Sequence, residues 1–224
     1  MNISVKELRK LIREALLDEI ASVPGGDAAL LVHRGPGGKV YILYNPSVVD
    51  VETPVEEQDV RALDDALMAT IEVAHDGQVH SPAAVGGYGP FIYDVAMKLT
   101  PGGIWSDREG ASPSATRVWN FYMDAEKRPD VKREPLSVEV RKMEKDDATR
   151  ELEKNSEDFR NYRFSFSSPG GGPDITALLQ NHEEVVKNRK KIGDDRFWQR
   201  LWGQAYEFFK RRQKEKRTAG TNQH

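Results

Sequence analysis

The chain has no cysteine, which excludes disulfides, thiolate metal centres and a cysteine nucleophile. It also lacks any apolar run near the 18–20 residues of a membrane span. A large charge excess is missing too: 33 basic side chains face 36 acidic ones, a net charge of −3. No global field therefore draws the molecule toward nucleic acid. The N-terminus has neither a continuous apolar stretch nor a small-residue cleavage site, so it does not read as a signal peptide. Together these absences suggest a cytoplasmic protein. What remains is polar, with 31% charged residues and a mean hydropathy of −0.65, so a compact core should occupy only part of the 224 residues.

The clearest periodicity lies at the start. Ser4 with Glu7 has capping-box spacing, and Val5, Leu8, Leu11, Ile12, Ala15, Leu16 and Ile20 form a helical apolar stripe. Residues 1–22 are thus expected as an amphipathic helix. Residues 28–33 and 39–44 are rich in strand formers around Gly35-Pro36-Gly37-Gly38, a hairpin pattern. Thr53-Pro54 with Glu56 opens another helix. A third strand is expected over 69–74, then a loop through Gly77 and Pro82. Next come a helix over 91–99, a short strand over 103–105, a helix over 112–123 and a charged connector over 128–135.

The composition shifts after Pro135. Residues 138–155 are mostly charged and 165–173 read as a Ser/Gly/Pro linker. Helices are expected from Asp174 to about Lys191 and from Asp194 onward, the last with a broad apolar face including Trp198, Leu201, Trp202, Ala205 and Phe208. Three regions follow: the N-terminal helix (1–22), an α+β core (23–135), and a charged, helical extension (136–224). The basic run of Lys210, Arg211, Arg212, Lys214, Lys216 and Arg217 suits either a phosphate backbone or a solvated terminus.

Chemical information concentrates between Thr70 and Tyr122. Gly86-Gly87-Tyr88-Gly89 precedes a helix, where glycines permit close backbone approach and the helix N-terminus attracts anions. Strand alternation puts Thr70, Glu72 and Ala74 on one face and Ile71 and Val73 on the other. His75 and His80 lack further ligands for a metal site, and Ser81 and Ser114 lack His/Asp partners for a nucleophile.

The runs Gly87-Tyr88-Gly89-Pro90, Tyr93-Asp94-x-Ala96-Met97, Ser106-Asp107-Arg108 and Ser112-x-x-Ala115-x-x-x-Trp119 resemble the second half of the GNAT N-acetyltransferase fold. They are most similar to small GNAT-like proteins of tailed bacteriophages, over residues 69–131. The resemblance implies a twisted, mainly antiparallel sheet with flanking helices. It implies that acetyl-CoA lies with its pyrophosphate on Gly86, Gly87, Tyr88 and Gly89 while the next strand splays to admit the pantetheine arm. Glu72 would deprotonate an amine acceptor, and Asp107 and Arg108 would contact that substrate. The family's Gln/Arg falls on Ala84 and its acidic tyrosine on Trp119, so Tyr122, one turn on, is the substitute acid. The alternative is a non-catalytic virion or host-interaction protein that keeps the fold, located in the host cytoplasm or the virion.

Overall fold

The computed structural model describes residues 28–49, 65–107, 111–137, 158–191, 201, 203–208 and 210–211. The expected helices at 1–22 and from Thr53, the charged run 138–155 and Arg108 lie outside them.

The alternating apolar residues of the first hairpin form β1 (Ala29–Gly35) and β2 (Gly38–Tyr44), paired antiparallel as expected. Then follow β3 (Leu67–Ala74), β4 (Gln78–Ala84), α1 (Tyr88–Leu99), β5 (Ile104–Ser106), α2 (Pro113–Met123), β6 (Val131–Pro135), a 3-10 turn (Phe159–Asn161), β7 (Tyr162–Phe166) and α3 (Thr176–Lys191). The strands make one seven-stranded sheet in the order β1-β2-β3-β4-β5-β7-β6. Neighbours are antiparallel except β4 and β5, which run parallel with α1 as their crossover.

Three segments differ from the sequence expectation, each for a local reason. The stretch through Gly77 and Pro82 is strand β4, not a loop. It holds its pairing to β3 through a bulge: Glu72 faces His80 and Thr70 faces Ala83, with Ser81 and Pro82 opposite a single residue. Ser81 takes a positive φ of 51° there, and Pro82 needs no partner for an N–H it lacks. The supposed connector 128–135 contains β6, an edge strand in which only Val131 is buried; charge is normal on an edge. Finally, Ser165 and Phe166 belong to β7, so a segment beyond Pro135 sits inside the sheet between β5 and β6.

The sheet buries both faces. On one, Leu30, Tyr41, Leu43, Ile71 and Val73 pack with α1 and α2 through Ile92, Val95, Trp119 and Tyr122. Trp119 is the hub, tilted on Phe164 at 5.3 Å, edge-on to Tyr93 at 5.0 Å and stacked with Phe159 at 6.3 Å. On the other, Leu31, Val40, Ile42 and Tyr44 meet Val185 of α3 and Leu201, Ala205 and Phe208 of the C-terminal helical segment. The aromatic final helix therefore folds back on its own sheet over these residues, leaving Tyr206 half exposed. No helix among the described residues is long and apolar enough to cross a membrane.

Candidate functional site

β4 and β5 pair through Gln78 with Trp105 and Val79 with Ser106. Beyond that β4 continues through the bulge at Ser81 and Pro82 to Ala84, while β5 ends at Ser106. The close start of the pair is set by Gly77 (φ 96°), where an added Cβ would fall on the Gly103 carbonyl. The indole of Trp105 is tied back to the Asp76 carbonyl at 3.2 Å, and Trp119 is buried in the aromatic hub.

A cleft of about 290 Å³ opens where β4 ends. Its walls are Pro82, Ala83 and Ala84 from β4, Val85, Gly86 and Gly87 from the turn, Gly89, Pro90, Ile92 and Tyr93 from α1, and Ser112, Ser114, Ala115, Arg117 and Val118 at the start of α2. Two helix N-termini thus share one cavity. Neither has an acidic residue in its first turn, and the Arg117 side chain adds a cation at the rim. This is an anion-attracting arrangement.

The two N-termini are not equivalent. At α2, Ser112 accepts the Ala115 amide and Pro113 occupies the first turn, so the end is capped by its own chain. At α1 the cap residue is Gly87, in the left-handed region at φ 88°, with no side-chain cap. Tyr88 N is taken by Val85 O at 3.3 Å, and Pro90 has no N–H. Gly89 remains as the first-turn donor for a ligand. An added Cβ at Gly86, Gly87 or Gly89 would meet nothing within 4 Å, so open space lies in front of all three.

The sequence candidates separate into groups. Gly86, Gly87 and Gly89 come together in the cleft wall. Tyr88 starts α1 but packs half-buried against the core instead of lining the cleft. Asp107 follows β5 and is half-buried, likewise outside the lining. Tyr122 is the clear departure from expectation. It is fully buried, and its hydroxyl lies 2.9 Å from Pro90 O and 2.8 Å from Asp94 Oδ1. Burial, reinforced by the Asp94 charge, pushes its ionisation well above the usual phenol range. A proton held this way braces α1 and is not presented to the cleft.

Glu72 lies on the sheet face turned away from α1 and α2, as its register with Val40 shows. Directly opposite it on β4 is His80, and paired residues in an antiparallel ladder share a face. The two form a polar pair beside the bulge, at the point where β4 leaves β5. His80 and Tyr93 were not singled out as site residues from sequence. His80 read as a loop or strand histidine, and Tyr93 entered only within the run Tyr93-Asp94-x-Ala96-Met97.

Among the described residues no group of three or more His, Asp or Glu side chains could hold a metal ion. In the C-terminal segment Lys210 pairs with Glu207 at 3.3 Å, and the rest of the basic run past Arg211 lies outside the described residues. No family model, curated protein or solved structure matches the chain.

Proposed function

We propose that the cleft binds the phosphates of an acyl-coenzyme A and that the chain is a GNAT-like N-acetyltransferase of tailed-bacteriophage type. The observation that carries this reading is the cleft walled by the end of β4 and by the uncapped α1 terminus at Gly87 and Gly89, beyond the two residue pairs that join β4 to β5. An elongated ligand with a phosphate at one end suits that shape. The cavity is near the low end of ligand pockets, about 300–1,000 Å³, so it would hold one stretch of such a molecule and leave the nucleotide outside.

An amine acceptor would approach from the opposite sheet face, where Glu72 and His80 stand together. Either could take the proton released as the amine attacks the thioester carbonyl. The Ala84 departure removes a polar contact at the turn, which Arg117 and the α2 terminus offset from across the cleft.

Isothermal titration with acetyl-CoA tests the binding step. Heat that saturates at micromolar to sub-millimolar ligand is expected; no response at millimolar ligand would rule the reading out.

A second reading has its own support. Trp119 occupies the family's tyrosine position and is committed to the aromatic core, while Tyr122 is committed to Asp94. A chain that binds acyl-CoA without turning it over, acting instead through a virion or host partner, would show titration heat and no acyl transfer to any amine.

A further inference from the structure

The cleft at the start of α1 is one-sided in its charge. None of its lining residues is acidic, and Arg117 alone carries a charge. Much of the rest is apolar or small, with Pro82, Ala83, Val85, Ile92 and Val118 among the walls. Its other polar side chains are engaged or out of reach. Ser112 Oγ accepts the Ala115 amide at 3.3 Å and lies 3.2 Å from Ser114 Oγ, and the Tyr93 hydroxyl is sealed in the core.

Arg117 is different. It is exposed, and it makes no hydrogen bond or ion pair with another described residue. Its neighbours at helical spacing on α2, Pro113, Ser114, Asn120 and Phe121, include no carboxylate. Other arginines of the fold are committed: Arg128 to Asp94 and Asp130, Arg160 to Asp158, and Arg133 to backbone carbonyls. A guanidinium left open on an acid-free cleft, beside an uncapped helix start, is a receptor for an anion.

The size of that receptor limits the anion. A coenzyme A thioester carries a pyrophosphate and a separate 3′-phosphate, whereas the cleft offers one guanidinium and, from α1, the Gly89 amide. That donor set matches a single phosphate. At about 290 Å³ the cavity also falls short of the roughly 300–1,000 Å³ that encloses a drug-sized ligand, so the nucleotide and its 3′-phosphate have no place in it. The apolar walls suit the uncharged pantetheine chain.

We propose that Arg117 is a ligand-contacting residue that binds the phosphate next to the pantetheine arm, and that the cleft therefore takes 4′-phosphopantetheine thioesters as a class, with or without the nucleotide. This rests on the acyl-coenzyme A reading above and widens its donor. Two sources carry that group: coenzyme A itself and a carrier protein bearing phosphopantetheine. Arg117 stays protonated; it positions the donor and takes no part in the transfer step.

The test uses the full chain with its Arg117→Gln and Arg117→Lys variants. Each is titrated with acetyl-CoA, acetyl-4′-phosphopantetheine, acetyl-pantetheine and an acetylated acyl carrier protein. In the wild type the first two ligands should bind within about threefold of each other and acetyl-pantetheine about tenfold more weakly, the loss of one charge-assisted contact. Arg117→Gln should erase that difference, weakening the phosphate-bearing ligands and leaving acetyl-pantetheine alone. Its melting temperature should not move, because Arg117 holds no described residue. Arg117→Lys should recover part of the affinity, and added salt should weaken the phosphate-bearing ligands in the wild type but not in Arg117→Gln.

The carrier-protein arm separates the sources. Binding as tight as acetyl-4′-phosphopantetheine admits the carrier-bound donor, and exclusion restricts the class to free thioesters. A wild type that binds acetyl-CoA and not acetyl-4′-phosphopantetheine would overturn this proposal and leave the acyl-coenzyme A reading standing. So would unchanged affinities in Arg117→Gln, or equal weakening toward every ligand with a lowered melting temperature. A wild type that binds none of the ligands would remove both proposals together.

Discussion

The Tyr122 hydroxyl stands 2.8 Å from Oδ1 of Asp94, and Arg128 Nη1 reaches the same oxygen at 2.9 Å. Arg128 also holds Asp130 through two contacts of 2.8 and 2.9 Å and lies 4.8 Å from the Tyr122 ring centre. One guanidinium thus ties α1, α2 and the turn into β6. Burial pushes the Asp94 carboxyl up, with Arg128 opposing it, and Arg128 is held above its ordinary value by both carboxylates despite its own burial.

Arg128→Met should cost about 3 kcal/mol in denaturant unfolding at neutral pH, because an ionised Asp94 is left buried without its cation. The deficit should shrink as pH falls. Asp94 has a raised folded value, so its charge opposes folding as pH rises through that value, and only the charged form needs Arg128. Tyr122→Phe removes a single shared hydrogen bond and should cost about 1 kcal/mol. An undiminished loss for Arg128→Met at pH 4.5 would sink the charge argument and leave only lost packing.

At the α1 terminus, Gly87 and Gly89 should respond differently to the same added methyl. Gly87 sits at φ 88°, so Gly87→Ala should lose about 1–2 kcal/mol through left-handed strain. Gly89 has no positive φ and faces open space, so Gly89→Ala should be neutral or stabilise by up to about 1 kcal/mol. If a phosphate uses that space, Gly89→Ala should weaken acetyl-CoA tenfold or more while the fold is unharmed. Full affinity in a stable Gly89→Ala chain would show that the space is not a ligand's.

On the other sheet face, His182 Nδ1 of α3 lies 2.9 Å from the Tyr44 hydroxyl. Burial depresses the His182 imidazole from the usual 6.5, with the Glu183 charge pulling the other way. As pH falls below 6.5 the unfolded chain takes up its proton before the folded one. Stability that is complete above that value is therefore lost as pH falls through the depressed folded value. Melting curves between pH 7.5 and 5 should show this decline, and it should be smaller in His182→Gln, which cannot titrate. Parallel curves for the two proteins would assign the decline to other groups.

Much of this architecture was legible because it is written in local patterns. The β1–β2 hairpin, α1 and α2 each carry their own apolar period and their own end signals, such as Ser112 at its cap. β4 was hidden because its reasons are not local. Pro82 and Ser81 break a strand pattern, and they are accommodated by the bulge against β3 at positions that pair with no residue of β5. β6 and β7 were hidden likewise, since Val131 and Phe164 find their partners across 30 residues and more of intervening chain. The glycine turn lines a cleft in the structure, whereas Tyr122, the expected substitute acid, is bound to Asp94 inside the core. That bond depends on Asp94 and Arg128 converging from separate elements, and no spacing rule encodes that convergence.

Glu72 and His80 lie on different strands and meet because the short turn closed by Gly77 N on Ala74 O pairs β3 with β4, a turn hidden as long as β4 read as a loop. If the chain transfers acyl groups, one of them should accept the amine proton, and general-base help of this kind contributes about a hundred- to ten-thousand-fold. Glu72→Gln and His80→Asn should then lower kcat by about a hundredfold for whichever is the base, with acetyl-CoA affinity unchanged, because both residues face away from the cleft. Both positions are only half-buried, so stability should move by less than about 1 kcal/mol. The base should also reveal itself in the pH profile, since the rising limb of kcat/KM disappears only in the variant that lacks it. If both variants keep full activity and the same profile, the proton leaves to solvent, and the polar pair serves only to keep that face of β3 and β4 wet.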